Sequence, residues 1–235
     1  MKILGIDSSG LVASVALACD ETIVAEFTVN NKQTHSQTLL PMLEQVMKFS
    51  GMELEEIDGI AVAAGPGSFT GLRIGASTAK GLGLALDKPI ISIPTVEGMA
   101  YQLAETEGII CPIMDARRNQ VYTGIYEMNN QELSVLHEQF ALDIRELLEI
   151  LKKYNRKVHF MGDGVPVYRT IIEEEYQGEF CFAPAHMSRQ RAASVAVLGQ
   201  KYYEAGKIES AAAHKPVYLR KSQAERERME REHAN

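Results

Sequence analysis

The sequence predicts an α/β fold made of two similar halves. Ile3–Asp7 and Cys111–Asp115 are both short apolar runs that end in an aspartate, and the two aspartates lie 108 residues apart. The next apolar runs, residues 13–17 and 121–125, repeat the same 108-residue offset. Because both halves also read strand, strand, strand, helix, an internal duplication is favoured over chance similarity.

The first half begins with a predicted antiparallel meander. Apolar runs within residues 2–29 are separated by tight polar turns, which is typical of neighbouring strands. Apolar side chains then recur at helical spacing over residues 36–50, where Pro41 is tolerated only near the start of the helix. The remaining predicted elements are a strand at 57–64, a loop at 65–71, a helix at 72–86, a strand at 89–93 and a helix at 95–105.

The second half repeats this order. Its predicted elements are strands at 110–114, 121–127 and 133–140, a helix at 144–153, a strand at 157–161, and helices from Pro166 and over 188–205. Ser188 has a suitable side chain to cap the last helix. We therefore expect an N-terminal domain at residues 1–106, a C-terminal domain at 107–219 and a charged tail at 220–235.

The composition excludes several classes of protein. The 235 residues include 24 basic and 31 acidic side chains, and the net charge of −7 disfavours binding of a nucleic-acid backbone by this chain alone. The three cysteines lie far apart in apolar runs, as reduced buried thiols do, and do not suggest a disulfide framework. No apolar stretch reaches membrane length and Asp7 comes too early for a signal peptide, so we expect a cytoplasmic protein.

The glycine-rich segment GPGSFTG at residues 65–71 is the first candidate site. Backbone N–H groups and the positive end of the helix dipole suit an anion there. A nucleotide or anion loop would consist of Asp7, Gly65, Gly67, Ser68 and Gly71. A tight turn with Ser68 or Thr70 as the helix cap explains the segment equally well. The spacing matches neither a Walker A loop nor a dinucleotide fingerprint.

Three aspartates each end an apolar run beside small or turn residues: Asp7, Asp115 and Asp163. Carboxylates at such positions hold a magnesium–phosphate group or orient a water, and an Asx-turn is the alternative. The segment 116–118 contains no glycine where a phosphate would approach, which favours the Asx-turn for Asp115. No histidine is spaced three or four residues from another histidine or a cysteine, so no local metal site is predicted, and His35 is the histidine of most interest.

A stripe of small residues follows the glycine-rich segment. Gly71, Gly75, Ala79 and Gly83 lie four apart and share one face of the predicted helix. Each glycine inside a helix costs about 1 kcal/mol relative to alanine, so another backbone must approach this face closely. The partner is either the sheet of this chain or a helix of another chain, and composition favours the former.

Several strings together resemble one known family. The specific one is GPGSFTGLRIG at residues 65–75, and the weaker ones are Ile6–Ser9, His35-Ser36 with Leu39–Pro41, Met114–Arg117 with Val121-Tyr122, and Pro216–Arg220. They run in order through residues 3–220 and together resemble the TsaB (YeaZ) family. The resemblance implies two actin-like (ASKHA, ribonuclease H-like) subdomains, each a mixed sheet with flanking helices, in agreement with the duplication.

The same resemblance implies a role in making N6-threonylcarbamoyladenosine at position 37 of tRNA. Family members are non-catalytic scaffolds that bind and activate TsaD, the threonylcarbamoyltransferase, in an assembly that includes the ATPase TsaE. They form homodimers when alone and contact tRNA only through the complex, and the resemblance leaves room for ATP or ADP at the partner interface. Two helices make the contact in the family, here residues 36–50 and 71–86. The implied interface residues are Leu39, Leu43, Val46, Gly71, Gly75, Ala79 and Leu82.

The resemblance also separates this chain from the catalytic relatives, which carry His-x-Glu-Gly-His and use both histidines for metal. Thr95 and Met99 stand at the corresponding positions, so we expect no metal, no resident cofactor and no independent transferase activity. The main rival is an autonomous actin-fold ATPase or kinase that uses Asp7, the loop at 65–71 and the segment 162–164. A homodimer with no partner in this pathway is a further alternative.

Overall fold

Two five-stranded mixed sheets form the framework of the protein. The structure, a computed structural model, describes residues 1–31, 34–104, 106–129 and 132–220. Of the predicted charged tail, residues 221–235 lie outside the described residues. Among the residues that are described, ten strands divide evenly between the two sheets.

The first sheet confirms the predicted meander. It contains β1 (Lys2–Asp7), β2 (Val12–Cys19), β3 (Thr22–Asn30), β4 (Gly59–Gly65) and β5 (Ile90–Pro94). The strand order is β3-β2-β1-β4-β5. β1, β2 and β3 pair antiparallel, whereas β4 and β5 join the other side of β1 in parallel.

The second sheet repeats this topology strand for strand. It contains β6 (Ile109–Asp115), β7 (Gln120–Asn129), β8 (Glu132–Asp143), β9 (Val158–Met161) and the unpredicted β10 (Phe180–Phe182). The order is β8-β7-β6-β9-β10, with β6, β7 and β8 antiparallel and β9 and β10 parallel to β6. The matching orders confirm the two-sheet α/β fold and the duplication.

Helices cover both faces of each sheet. The six α-helices of the described residues are α1 (His35–Ser50), α2 (Phe69–Leu86), α3 (Thr95–Ala100), α4 (Ile144–Lys152), α5 (Val165–Glu175) and α6 (Ala192–Glu204). The pair α1 and α2 packs on one face of the first sheet, and α4 and α5 on one face of the second. The other two faces hold α6 and α3, which also contact each other.

The packing does not follow the predicted domain boundaries. α6 lies in the segment 107–219 that was assigned to the C-terminal domain, yet it packs on β1, β2 and β4 of the first sheet. A Cβ on Gly5 of β1 would lie 2.4 Å from the Ala192 carbonyl oxygen, so this helix and strand touch backbone to backbone. The division at 1–106 and 107–219 therefore separates the two sheets, whereas α6 of the second segment packs on the first sheet.

Two local predictions were also wrong. Ser188 does not cap α6, because the helix begins four residues later at Ala192 and the Ser188 hydroxyl donates to the Ala185 carbonyl instead. Pro41 lies inside α1, well past its first residue at His35, rather than near its start. Its exposed position places the missing N–H on the solvent side of the helix.

Candidate functional site

The turn between β1 and β2 is the first part of the candidate site. Asp7 ends β1 and is almost completely buried. Its Oδ1 accepts hydrogen bonds from the Ser9 N–H (2.9 Å) and the Ser9 hydroxyl (2.7 Å). Burial raises the pKa of Asp7 to about 6, and these hydrogen bonds oppose that shift. The carboxylate therefore closes its own turn, as an Asx-turn does.

The glycine-rich segment packs directly on this turn. A Cβ on Gly67 would lie 2.3 Å from the Ser9 carbonyl oxygen, and one on Gly71 would lie 2.0 Å from the Ser8 carbonyl oxygen. Only glycine allows such close backbone approach. The Ser8 hydroxyl donates to the Gly71 carbonyl at 2.8 Å. The structure thus brings Asp7 and the predicted loop residues together through the β1–β2 turn.

Backbone donors of this segment already have partners within the chain. The Ser68 N–H donates to the Ser9 carbonyl at 2.7 Å, and the Gly71 N–H donates to the Ser68 hydroxyl at 3.3 Å. Ser68 is therefore the N-cap of α2, which begins at Phe69 and leaves a shorter loop than predicted. These contacts account for the glycines without a ligand, and an anion at this loop stays a prediction.

The other two predicted aspartates lie together at the corresponding edge of the second sheet. Asp115 Oδ1 accepts from the Arg117 N–H and the Tyr168 hydroxyl, both at 2.8 Å. Burial raises the pKa of Asp163 to about 6, an effect that the Arg189 guanidinium opposes and the Asp115 charge reinforces. Asp163 Oδ1 is buried and has no hydrogen-bond partner within the described residues.

The side chain of Gln190 packs against the β1–β2 turn. Its side chain is almost completely buried, and its Nε2 lies 2.6 Å from the position of a Cβ on Gly10. Neither Nε2 nor Oε1 has a hydrogen-bond partner in the part of the chain that the structure describes. The sequence analysis missed this residue because nothing in the local pattern of 188–191 indicates contact with a turn 180 residues earlier.

The predicted interface residues face inward. Leu39, Leu43, Val46 and Ala79 are buried in the core between the helix pair and the first sheet, and Leu82 is partly buried against it. Gly71 lies on the Ser8 backbone, and a Cβ on Gly75 would lie 2.5 Å from the Ser8 hydroxyl oxygen. Most of the seven residues therefore belong to the core of this chain, and their contact with another chain stays a prediction. The small-residue stripe serves the packing of α2 on its own sheet.

The outer faces of the same two helices present apolar side chains. Leu40 and Phe49 on α1 are 56% and 76% exposed, and Leu84 on α2 is 65% exposed. Leu40 and Phe49 are nine residues apart and therefore lie on opposite sides of α1. We call Leu40 and Leu84 the outer helix face, and these exposed leucines on the neighbouring helices α1 and α2 make it a candidate contact surface.

The start of α3 contains no metal-binding arrangement. Thr95 is buried, and its hydroxyl oxygen accepts from the Gly65 N–H at 3.2 Å. Met99 belongs to the apolar cluster between α3 and the second sheet. Nowhere among the described residues do three His, Cys, Asp or Glu side chains group in a way that could hold a metal ion.

The C-terminal strap, residues 214–220, crosses the glycine-rich segment and was not predicted to do so. The Val217 N–H donates to the Ala64 carbonyl at 2.7 Å, and the Tyr218 ring stacks on Phe69 at 4.2 Å. Arg220 donates to the Ala116 carbonyl at 2.8 Å. The strap thus joins the last residues of β4 to the turn that follows β6. The described helices include none that is both long and apolar enough to cross a membrane.

Duplicated mixed sheets with helices on both faces define an actin-like protein. A family model described as TsaD, tRNA N6-adenosine threonylcarbamoyltransferase, matches residues 22–228. The chain is 34% identical over 225 residues to the tRNA threonylcarbamoyladenosine biosynthesis protein TsaB of Bacillus subtilis, covering 96% of each chain. It is 29% identical to the Haemophilus influenzae TsaB, covering 94% of each.

A solved structure agrees with these sequence comparisons. The structure of YeaZ from Pseudomonas aeruginosa superposes with a TM-score of 0.80 at 24% identity, covering 93% of this chain and 99% of the other. The chain belongs to the TsaB (YeaZ) family of tRNA threonylcarbamoyladenosine biosynthesis proteins.

Proposed function

We propose that this chain is a non-catalytic scaffold that binds and activates the TsaD threonylcarbamoyltransferase during modification of tRNA at position 37. Membership of the TsaB family is the observation that carries the proposal. In this assembly the ATPase TsaE joins the pair, and tRNA is held by the partners, because this chain carries a net charge of −7.

The start of α3 supports a non-catalytic role. In the catalytic relatives two histidines of a His-x-Glu-Gly-His motif hold a metal, and Thr95 and Met99 stand at those positions here. The Thr95 hydroxyl is engaged with the Gly65 backbone, and Met99 is 1% exposed in an apolar cluster. Neither side chain supplies an imidazole, so the transferase chemistry belongs to the partner.

The outer helix face is the surface that we propose for TsaD. α1 and α2 pack side by side, and Leu40 and Leu84 project from them toward solvent. Two helices with exposed leucines can pack against two helices of a partner by inserting side chains into grooves. A second copy of this chain offers the same surface, so a homodimer forms by the same contact when the partner is absent.

The test is to mix the chain with the cognate TsaD and measure complex size by light scattering after gel filtration. We expect a complex with the wild-type chain and at least about tenfold weaker binding by Leu84→Glu, since a charge would be buried against the partner. Val167→Glu is the matched control, because Val167 is a 56% exposed apolar residue on α5 of the second half.

Two results would contradict the proposal. If the wild-type chain forms no complex and its deletion leaves the modified nucleoside unchanged, the scaffold role is wrong. If Leu84→Glu binds as tightly as Val167→Glu, the scaffold role survives but the contact lies elsewhere.

A nucleotide-binding enzyme is the second candidate. The observation that favours it is the set of buried polar atoms on Asp163 and Gln190 without partners in the described residues. The partnered N–H groups of Ser68 and Gly71 argue against a phosphate at the glycine-rich segment. Calorimetry with ATP and magnesium separates the two: we expect no tight binding or turnover by the isolated chain, with ATP or ADP bound only at the TsaD interface.

A further inference from the structure

Cys181 and His159 form a close pair at the edge of the second sheet. β9 and β10 run parallel, and their register places Cys181 of β10 beside His159 of β9. Cys181 Sγ lies 3.0 Å from His159 Nδ1. Neither residue belongs to the surfaces described above, so their arrangement is unrelated to the proposed TsaD contact.

The backbone determines which nitrogen of His159 carries the proton. His159 Nε2 lies 2.9 Å from the Glu107 carbonyl oxygen. A carbonyl oxygen only accepts hydrogen bonds, so Nε2 is the protonated nitrogen and Nδ1 of the neutral ring has a free lone pair. The Cys181 thiol therefore donates to Nδ1. A thiol beside a base that is oriented by a third group is the arrangement of an activated nucleophile.

The surroundings favour a neutral His159. Burial lowers the pKa of His159, and the Glu107 hydrogen bond opposes this shift. The charged side chains that act on the ring are Lys157 and Glu179, which form an ion pair with each other at 3.3 Å and have opposite effects. His159 is thus present in the form that can take the thiol proton.

The pair is accessible to a small reagent. Cys181 and His159 are both only partly buried. β10 is the outermost strand on its side of the second sheet among the strands that the structure describes. A small molecule can therefore approach Cys181 Sγ from the sheet edge.

The other two cysteines lack this activation. Cys111 is completely buried, which raises the pKa of its thiol to about 12. Cys19 is likewise only partly buried, but its Sγ lies 3.9 Å from the Asp20 carboxylate rather than beside a histidine ring. Cys19 and Cys111 therefore serve as internal controls for accessibility and folding.

We propose that Cys181 is a modification site that forms a mixed disulfide with a low-molecular-weight disulfide. His159 Nδ1 takes the thiol proton while Cys181 Sγ attacks one sulfur of the reagent. The new S–S bond forms as the reagent's own S–S bond breaks, and the departing thiolate takes the proton from His159. The reagent is the oxidant, and the products are the mixed disulfide on Cys181 and one free thiol.

The test uses the full chain and oxidised glutathione. Time points are quenched in acid, and the modified cysteines are quantified by peptide mass spectrometry for the wild type and for His159→Gln. We expect Cys181 to react at least about tenfold faster than Cys19, and His159→Gln to slow Cys181 by at least about tenfold while Cys19 is unchanged. Glutamine retains an amide donor for the Glu107 carbonyl, so the variant removes the base but keeps a hydrogen-bonding group.

Two outcomes would overturn the proposal. One is equal reactivity of Cys181 and Cys19 in the wild type, and the other is a folded His159→Gln variant whose Cys181 reacts as fast as before. Reaction of the buried Cys111 reports unfolding. If Cys111 reacts in the His159→Gln variant, the proposal is tested by the wild type alone, from the ratio of the Cys181 reaction rate to the Cys19 reaction rate.

Discussion

Two glycine-to-alanine substitutions in α2 test whether the small-residue stripe packs on the chain's own turn. Gly71 and Gly81 lie in the same helix, but their surroundings differ. A Cβ on Gly81 would meet no atom within 4 Å among the described residues, whereas one on Gly71 would lie 2.0 Å from the Ser8 carbonyl oxygen. The same added methyl group therefore enters open space at one position and backbone at the other.

The expected free energies of unfolding change in opposite directions. Gly81→Ala gains about 1 kcal/mol from helix propensity, which raises the Tm by roughly 2–4 °C in a chain of this size. Gly71→Ala forces the turn and the helix start apart by more than about 1 Å to restore ordinary contact. Overpacking costs about 1–3 kcal/mol, and the weakened hydrogen bonds from Ser8 and Ser68 add about 1 kcal/mol. We expect the Tm to fall by roughly 5–10 °C.

The assay is thermal and urea denaturation of the isolated chain, followed by circular dichroism. No partner is present, so any effect comes from packing within the chain. If the stripe were a free surface awaiting another helix, both substitutions would stabilise the protein. A Gly71→Ala variant that melts at or above the wild-type temperature would therefore refute the inward assignment.

Three further predictions use the same purified chain. Burial raises the pKa of Asp7 from about 3.8 to about 6, so the contribution of Asp7 to stability is complete below pH 4 and is lost as the pH rises through 6. Asp7→Asn should therefore have the Tm of the wild type at pH 4 and a higher Tm at pH 8, where its free energy of unfolding exceeds that of the wild type by up to about 3 kcal/mol. Equal melting curves of the two proteins at both pH values would contradict this. Leu84→Glu should leave the Tm of the isolated chain within about 2 °C of wild type, since the side chain is 65% exposed, while it weakens TsaD binding relative to Val167→Glu; a large loss of Tm would show that Leu84 supports the fold. Phe160→Ala should lower the free energy of unfolding, measured by urea titration, by about 3–5 kcal/mol. The Phe160 ring is fully buried and packs edge-on against Tyr176. A loss below about 1 kcal/mol would contradict the packing of the apolar core between the second sheet and α4 and α5.

The repeated order of elements was predictable because its signals are local. Apolar runs ending in Asp7 and Asp115 indicate strands that lead into turns, and the 108-residue offset indicates that the two halves share one design. The structure confirms both with sheets of matching strand order. β10 was missed because three residues are too few for an alternation pattern to be distinguished from a loop.

The sequence predicted which residue types form the candidate site, but not which way their side chains face. The spacing of Gly71, Gly75 and Ala79 shows that something approaches the helix closely, and the structure shows that it is the Ser8–Ser9 turn. Leu39 and Leu43 share a helix with Leu40, yet the first two are buried and the third is exposed. Helical spacing groups residues on a face but does not say whether that face meets the chain's own sheet or another molecule.

By itself the sequence determined the α/β class, the duplication, and the Ser8–Ser9 and glycine-rich strings that resemble the TsaB family. All of these depend on residue types at fixed spacing along the chain. Only the tertiary structure decided that α6 packs on the first sheet, that the strap at 214–220 crosses the glycine-rich segment, and that His159 faces Cys181. Those contacts join residues distant in sequence, and their geometry depends on how whole sheets and helices pack, which no local pattern encodes.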